Sequence, residues 1–283
     1  MSDNLAEHLA GWSPGPVRWT GTITEWSIRA FADLLDQPDP LAADPAVPAM
    51  WHWFGCLPHP AQAALGHDGH PAAGHFLPPI PDRRRMFAGG RWTERRALPV
   101  DEPIECRTAL VSHRVTSGRS GKMAFVTLRS QFGRDGRVDV IEEQDLVYRS
   151  EPDTSRRPPP GEQPGADPDD PPVRFVPDET ALFRFSALTY NAHRIHYDHP
   201  YATGVEGYPG LVVHGPLLAL LALEVPRRAD PRRRVTRFEF RLTRPAFAPR
   251  PLLAWAESAD GADRPLRCAS VGAAPSLTAI ARS

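Results

Sequence analysis

A proline-rich, acidic segment at residues 151–172 is the feature that most constrains how this chain can fold. Its sequence, EPDTSRRPPPGEQPGADPDDPP, holds no apolar side chain large enough to anchor a core. Such a composition favours an extended, exposed linker. About 150 residues precede it and about 110 follow it, and each length is sufficient for one domain. We therefore predict two domains, residues 1–150 and 173–283.

Both halves follow a similar plan of a helix and then long strands. The first half predicts a helix over 23–35 and strands over 104–115, 122–132 and 138–148. The second half predicts a short strand over 181–186, a polar loop with a short helix over 190–203, an apolar helix over 215–223 and strands over 234–242, 252–258, 266–274 and 276–282. This order favours an α+β fold in which each of two curved antiparallel sheets wraps around a helix.

Charge and hydropathy exclude several classes of partner. Thirty-three basic residues balance 34 acidic ones, so the net charge of −1 provides no field for binding nucleic acid. The longest apolar run, 217–223, is far shorter than the roughly 20 residues of a membrane helix. The N-terminus has no secretory signal pattern, and the three cysteines lack the spacing of a zinc site or a disulfide framework. We expect a cytoplasmic protein that contacts neither nucleic acid nor membrane.

Polar side chains that can carry chemistry are concentrated in residues 185–202, FSALTYNAHRIHYDHPYA. A second segment, 208–217, places His214 and Gly215 at the start of the apolar helix. A histidine can exchange a proton near neutral pH, and the N–H groups at a helix N-terminus can stabilise a negative charge. Pro216 fits the first turn of that helix.

The histidine spacing also raises the question of a metal. His193, His196 and His199 are three residues apart, so the first two can share a helix face while the third rotates away from it. An HExxH pattern does not occur in the sequence. We expect no metal at this segment.

These two segments resemble the R-specific enoyl-thioester hydratases, also called the hydratase 2 or MaoC-like hot-dog family. That family carries Asp-x-Asn-Pro-x-His, and this chain has Asn191 at the Asp position, His193 at the Asn position, Arg194 at the Pro position and His196 at the His position. His214-Gly215 matches the second segment. The departures resemble the hydroxyacyl-thioester dehydratase type 2 branch, which includes mesaconyl-CoA and itaconyl-CoA hydratases. Residues 51–54, 84–91 and 142–149 are similar to the N-terminal domain of that branch.

The resemblance implies a double hot-dog chain with a non-catalytic N-terminal domain and a catalytic loop in the C-terminal one. It implies reversible hydration of a 2-enoyl-CoA, plausibly mesaconyl-CoA to citramalyl-CoA. Coenzyme A enters as part of the substrate, no other cofactor is required, and a homodimer is compatible with the family.

Hydration of an enoyl thioester needs a base for water and a proton for the α-carbon. We assign this work to His196, with His193 as its helper. Asn191 cannot act as a base but can orient water through its amide. Gly215 allows the thioester oxygen to approach the helix N-terminus, and His214 shapes the start of that helix.

Arginines are the expected anion contacts. Arg85 and Arg91 belong to a basic cluster that can clamp the phosphates of coenzyme A. Arg194 can bind a substrate carboxylate or form a structural tie with Asp198. Tyr190, in the same loop, is counted among the substrate contacts. Three other functions stay open: a dehydratase acting on acyl-carrier-protein thioesters, a hot-dog thioesterase, and an acyl-CoA-binding protein without turnover.

Overall fold

One ten-stranded antiparallel sheet runs through both halves of the chain. The computed structural model describes residues 5–81, 83–118, 121–150, 163–258 and 261–283. The strands of the first half are β1 (Val17–Thr22), β2 (Arg83–Glu94), β3 (Pro103–Gly118), β4 (Gly121–Gly133) and β5 (Val140–Ser150). Those of the second half are β6 (Val173–Phe175), β7 (Arg237–Leu242), β8 (Leu252–Ala256), β9 (Asp263–Ser270) and β10 (Leu277–Arg282).

The strand order shows that the two halves have the same topology. The order is β1-β3-β4-β5-β2-β7-β10-β9-β8-β6, so each strand of the second half takes the place of the strand numbered five lower. The halves meet where β2 pairs with β7, from Gly89 opposite Arg241 to Thr93 opposite Arg237. A similar plan for both halves, expected from the sequence, is therefore confirmed at the level of strand order.

Five α-helices accompany the sheet in the described residues. They are α1 (Leu5–Leu9), α2 (Glu25–Leu34), α3 (Glu179–Leu188), α4 (His199–Gly204) and α5 (Gly215–Ala229). Residues 217–226 of α5 are buried, and this helix packs across β8, β9 and β10. Helices α2 and α3 pack together, with the rings of Phe31 and Phe185 5.9 Å apart. None of the described helices combines the length and the apolar character needed to cross a bilayer.

The first half differs from the second in the segment between its helix and β2. Where the second half has α5, the first half has three short 3-10 turns, Pro40–Ala42, Trp51–Phe54 and Gln62–Ala64, and all four residues of Trp51–Phe54 are buried. Most of the remaining residues up to β2 are irregular and form one wall of the cavity described below. The helix predicted over 23–35 is confirmed as α2.

Three local predictions need correction. The predicted strand at 181–186 is helix α3, because Asp178 caps its N-terminus and the buried side chains of Ala181, Leu182 and Phe185 follow a helical period. Strands β1 and β2 were not predicted. β2 is rich in arginine and glycine, and it forms because it pairs on both sides, with β5 and β7.

The predicted linker lies partly within the described residues. Its residues 151–162 are outside them. From residue 163 the chain runs along the turn between β9 and β10, where Gln163 O accepts a hydrogen bond from Ala274 N at 2.8 Å and Asp167 accepts one from Gly272 N at 2.6 Å.

Candidate active site

A cavity of about 1780 Å³ lies between the two halves and contains most of the predicted site residues. Its lining comes from the irregular segment before β2, from β2 itself, from the loop after α3 and from the first turn of α5. Asn191, His193, His196 and Gly215 all line it. The structure therefore brings the two sequence segments singled out above into one site.

His196 is held as a neutral imidazole with one fixed tautomer. It lies at the end of a 3-10 turn, Arg194–His196, and is buried. Its Nδ1 is 2.7 Å from the carbonyl oxygen of Val212. A carbonyl can only accept, so Nδ1 carries the proton and Nε2 has the free lone pair. Burial lowers the pKa of His196 to about 4, below the near-neutral value expected from the sequence.

The ring of His214 packs against the ring of His196. The two imidazoles are stacked, with centres 3.7 Å apart and an interplanar angle of 18°. His214 Nε2 is 2.9 Å from the hydroxyl of Ser186, and burial keeps the pKa of His214 well below its ordinary value. His214 is fully buried and does not line the cavity. The expectation that it shapes the start of the helix fits this position better than direct substrate contact.

His193 lies between His196 and His70, a histidine of the first half. Its ring is 5.5 Å from that of His196 and 3.9 Å from that of His70. Burial, and then the neighbouring His70, hold the pKa of His193 well below its ordinary value. Asn191 Oδ1 accepts a hydrogen bond from His193 N at 3.0 Å, so the amide group of Asn191 keeps Nδ2 as the end that can donate to a ligand.

His70 is a site residue that sequence reasoning missed, because a histidine in a glycine- and proline-rich stretch is typical of a loop. Asp68 holds it: one carboxylate oxygen accepts from His70 N at 2.9 Å and the other lies 3.3 Å from Nδ1. The loop lies against the loop that carries His193 and His196, since Arg194 N donates to Asp68 O at 2.9 Å. A Cβ at Gly69 would lie 1.8 Å from Ala192 O, so only glycine permits this contact.

Asp68, His70 and His193 are the described residues that come closest to a metal-binding set. One possible ligand atom from each lies within 4.8 Å of the others. The two rings lie against each other, with centres 3.9 Å apart and an interplanar angle of 33°, and His70 Nδ1 is 3.3 Å from the carboxylate of Asp68. We assign this group to hydrogen bonding and ring stacking.

The first turn of α5 meets the cavity at Gly215 and Pro216. Gly215 begins the helix and Pro216 follows, so the unpaired donors of the first turn are the amides of Gly215 and Leu217. A Cβ at Gly215 would lie 2.4 Å from Leu242 Cδ1 and 3.4 Å from Phe87 Cδ1. A side chain at this position would therefore displace Leu242 where the helix meets the cavity.

The predicted arginines occupy three different environments. Arg91 lines the cavity but donates to both oxygens of Asp145 and to Glu143, which raises its pKa. Arg194 does not line the cavity, and it donates twice to Asp198, which favours the structural tie over substrate contact. Arg85 lines the cavity and has no hydrogen bond or ion pair within the described ranges. Tyr190 is 63% exposed at the rim.

A second buried charge network supports the wall formed by the first half. Glu142 accepts hydrogen bonds from His52 Nε2 at 2.8 Å, Trp53 Nε1 at 2.9 Å and Gln144 Nε2 at 2.7 Å. Burial acts to raise the pKa of Glu142, but His52 and these hydrogen bonds together lower it. Trp53 lines the cavity, whereas its neighbours Trp51 and Phe54 pack in the core.

Comparison with known proteins shows similarity to thioester dehydratases and hydratases. The family model for hydroxyacyl-thioester dehydratase type 2 matches residues 50–248. A mesaconyl-C(4)-CoA hydratase from Chloroflexus aurantiacus is 46% identical over 236 residues, which are 81% of this chain and 81% of that protein. The mitochondrial hydroxyacyl-thioester dehydratase type 2 of Schizosaccharomyces pombe is 49% identical over 80 residues, which are 28% of this chain and 27% of that protein.

Solved structures share the fold at low sequence identity. HtdX of Mycobacterium tuberculosis has a TM-score of 0.67 at 17% identity, over 95% of this chain and 99% of that one. A MaoC-like dehydratase from Phytophthora capsici has a TM-score of 0.68 at 13% identity, over 99% of both chains. A Mycobacterium tuberculosis protein described as a double hot-dog fold has a TM-score of 0.58 at 18% identity, over 95% of both. The expected α+β double hot-dog fold is confirmed.

Proposed function

Because this chain belongs to the hydroxyacyl-thioester dehydratase type 2 family, we propose that it adds water reversibly to the double bond of a 2-enoyl-CoA thioester in the cavity around His196. The enzyme is a hydro-lyase. The observation that carries the proposal is the neutral, tautomerically fixed His196, whose Nε2 is the free base in a buried site. The steps below follow from that geometry.

In the hydration direction, His196 Nε2 removes a proton from water as the water oxygen bonds to the β-carbon. The π electrons of the double bond move to the thioester oxygen, which becomes an enolate. The imidazolium of His196 then returns the proton to the α-carbon, the enolate collapses to the thioester, and the base is regenerated. The net change is addition of H and OH across the double bond.

The enolate oxygen is stabilised by the first turn of α5. The amides of Gly215 and Leu217 have no partner within the helix, and the helix dipole adds positive potential there. Donors fixed at the position where charge develops lower the barrier because they need no reorganisation during the reaction.

Asn191 and His193 assist this base. The free Nδ2 of Asn191 is positioned to donate to the attacking water or to the thioester, and its Oδ1 fixes the loop through His193 N. His193 stays neutral because of its burial, so it does not place a positive charge beside His196. The acid and base steps therefore rest on one histidine.

The first half acts in this scheme as a binding wall and not as a second catalytic centre. It has no Asn-x-His-x-x-His segment, and it contributes Asp68, His70 and Arg85 to the cavity formed with the second half. We therefore infer a division into residues 1–150 as the supporting domain and 173–283 as the catalytic domain.

For the acyl group, we propose a branched C5 dicarboxylic thioester such as mesaconyl-C4-CoA, with citramalyl-CoA as the hydrated product. The support is the 46% identity to a protein named mesaconyl-C(4)-CoA hydratase, over 81% of both chains. In this ester the β-carbon that receives water also carries a methyl group and a carboxylate.

The test is loss of the enoyl-thioester absorbance with mesaconyl-C4-CoA, itaconyl-CoA, crotonyl-CoA and a long-chain enoyl-CoA. His196→Gln should lower kcat about 1000-fold or more, since general acid–base groups contribute 10²–10⁴-fold. His199→Gln is the matched control, because His199 is exposed and outside the cavity lining. Absence of turnover on all four esters by the folded wild-type protein would refute the proposal in favour of carrier-protein substrates or simple binding.

A further inference from the structure

Arg85 lines the cavity and has no ionic partner among the described residues. We propose that its guanidinium binds the free carboxylate of the acyl group and so selects dicarboxylic thioesters. The inference rests on the proposed hydration at His196. It differs from the phosphate clamp expected from the sequence, because it places Arg85 at the reacting end of the substrate.

The neighbouring arginines of β2 already have partners in the protein. Arg83 donates to the carbonyl oxygens of Pro78 and Ala72, at 3.0 and 2.9 Å. Arg84 donates to the hydroxyl of Tyr208 at 2.9 Å. Arg85 lies between Arg84 and Met86 in the same strand and lines the same cavity, yet within the described ranges it has neither a hydrogen bond nor an ion pair. A half-buried guanidinium without an anion favours binding of an anionic ligand.

The environment of Arg85 places it near the catalytic loop. Its positive charge opposes protonation of both His70 and His193. His193 is in turn 5.5 Å from His196, measured between ring centres. The carboxylates of Asp68 and Glu206 also act on His70, but Asp68 is bonded to His70 and Glu206 accepts from Tyr201 at 3.0 Å.

A second polar group next to Arg85 also has no partner. Tyr148 stands directly opposite Arg85 on β5. Its hydroxyl is fully buried and makes no hydrogen bond with the described residues. Tyr148 does not line the cavity, however, so we assign the carboxylate contact to Arg85 alone. Its planar guanidinium can bind a carboxylate in a bidentate geometry.

The position suits the chemistry of the substrate. In a 3-methylfumaryl thioester the carboxylate is bonded to the β-carbon, which is the atom that water attacks. The anchor and the base must therefore approach the same carbon from different sides. Arg85 on the first half and His196 on the second half both line the one cavity, and so does His193, whose ring is 5.5 Å from that of His196.

The test compares mesaconyl-C4-CoA with crotonyl-CoA, which lacks the carboxylate. Arg85→Gln should lower kcat/KM for the dicarboxylic ester about 100-fold, the effect expected for loss of a charged, bidentate contact. For crotonyl-CoA the change should stay within about threefold, since no contact to a carboxylate is lost. Arg85→Lys, which keeps the charge but not the planar fork, should fall between wild type and Arg85→Gln.

Arg129→Gln is the matched control, because Arg129 is a half-exposed arginine of β4 that lies outside the cavity lining. Equal losses on both esters in Arg85→Gln, or no loss on either, would overturn the inference. Wild-type turnover of crotonyl-CoA alone would overturn it too and leave the hydratase reaction standing. Wild-type turnover of neither ester would instead refute the proposed function.

If Arg85→Gln does not fold, inhibition by saturated esters gives a second test with wild type and Arg85→Lys. Succinyl-CoA should inhibit wild type more strongly than butyryl-CoA by about tenfold or more, which is the effect of one charged hydrogen bond. The preference should shrink in Arg85→Lys. Equal inhibition by the two esters in wild type, or an unchanged preference in Arg85→Lys, would overturn the inference.

Discussion

His196 donates its Nδ1 proton to the carbonyl oxygen of Val212, which lies two residues before His214, whose ring stacks on that of His196. The segment that leads into α5 therefore both sets the tautomer of the base and supports its ring. This relationship fixes Nε2 as the reactive atom and relates the chemistry of the site to pH.

The activity should persist to lower pH than is usual for a histidine base. His196 must be neutral to accept a proton, and burial lowers its pKa to about 4. We expect kcat/KM for hydration to be flat on the acid side down to about pH 5 and to fall with a midpoint near 4. Stopped-time assays at each pH, with circular dichroism to follow folding, measure this. A midpoint near 6.5 would contradict a desolvated base.

The stability of the protein should fall with acid in a different window. Neutral His196 is favoured in the folded state, whereas the unfolded chain takes up a proton below about pH 6.5. The contribution of His196 to the free energy of unfolding is therefore fully present above pH 6.5 and is lost as the pH falls towards 4. His196 alone should account for about 2 kcal/mol of the loss between pH 7.5 and 5.

Urea denaturation of wild type and His196→Gln at these two pH values measures that share. The variant has no titrating group at this position, so its stability should decrease less with acid than that of wild type. Equal decreases in both proteins would show that His196 has the same pKa in the folded and unfolded states.

Gly215 should be intolerant of even a methyl group. In Gly215→Ala the new Cβ would lie 2.4 Å from Leu242 Cδ1, so the side chain or the helix start must shift. We expect a kcat/KM about tenfold lower, because a small displacement of the donors at α5 weakens enolate stabilisation. Gly204→Ala is the control, since a Cβ there meets open space. The same loss in both variants would show that the effect is not local to the helix start.

Glu142 should matter for stability. In Glu142→Gln an NH₂ group replaces one oxygen and faces His52 or Trp53, both of which donate to the carboxylate. Removing one partner of such a buried, charged pair costs about 3 kcal/mol. Glu105→Gln, at an exposed position of β3, should change the free energy of unfolding by less than about 0.5 kcal/mol. Urea denaturation measures both, and equal values would contradict the role of the network.

Sequence patterns predicted those elements whose own residues determine their structure. Alternation in Arg237–Leu242 and the β-branched side chains of β4 indicated strands correctly. The helix predicted over 215–223 was confirmed, but it continues to Ala229. In this additional part Arg227 pairs with the buried Glu224. Strand β2 depends on its pairing with β5 and β7, which the sequence does not show. The segment 181–186 was predicted as a strand but belongs to helix α3. Local sequence patterns therefore failed at both.

The same distinction applies to the site. The motif identified Asn191, His193, His196 and Gly215, which all line the cavity. It could not identify His70, because this residue joins the site only through the contact of its loop with Ala192, more than 100 residues away. Nor could it show which arginines have partners, since that depends on carboxylates from neighbouring strands, such as Asp145 beside Arg91.

The pairing of β2 with β7 has a consequence for how substrate enters the cavity and product leaves it. A hinge motion that parted the two halves would break the backbone hydrogen bonds between Gly89–Thr93 and Arg237–Arg241 and interrupt a ten-stranded sheet. Separation of the two halves as rigid bodies is therefore energetically unfavourable. Turnover is therefore expected to proceed without separation of the two halves.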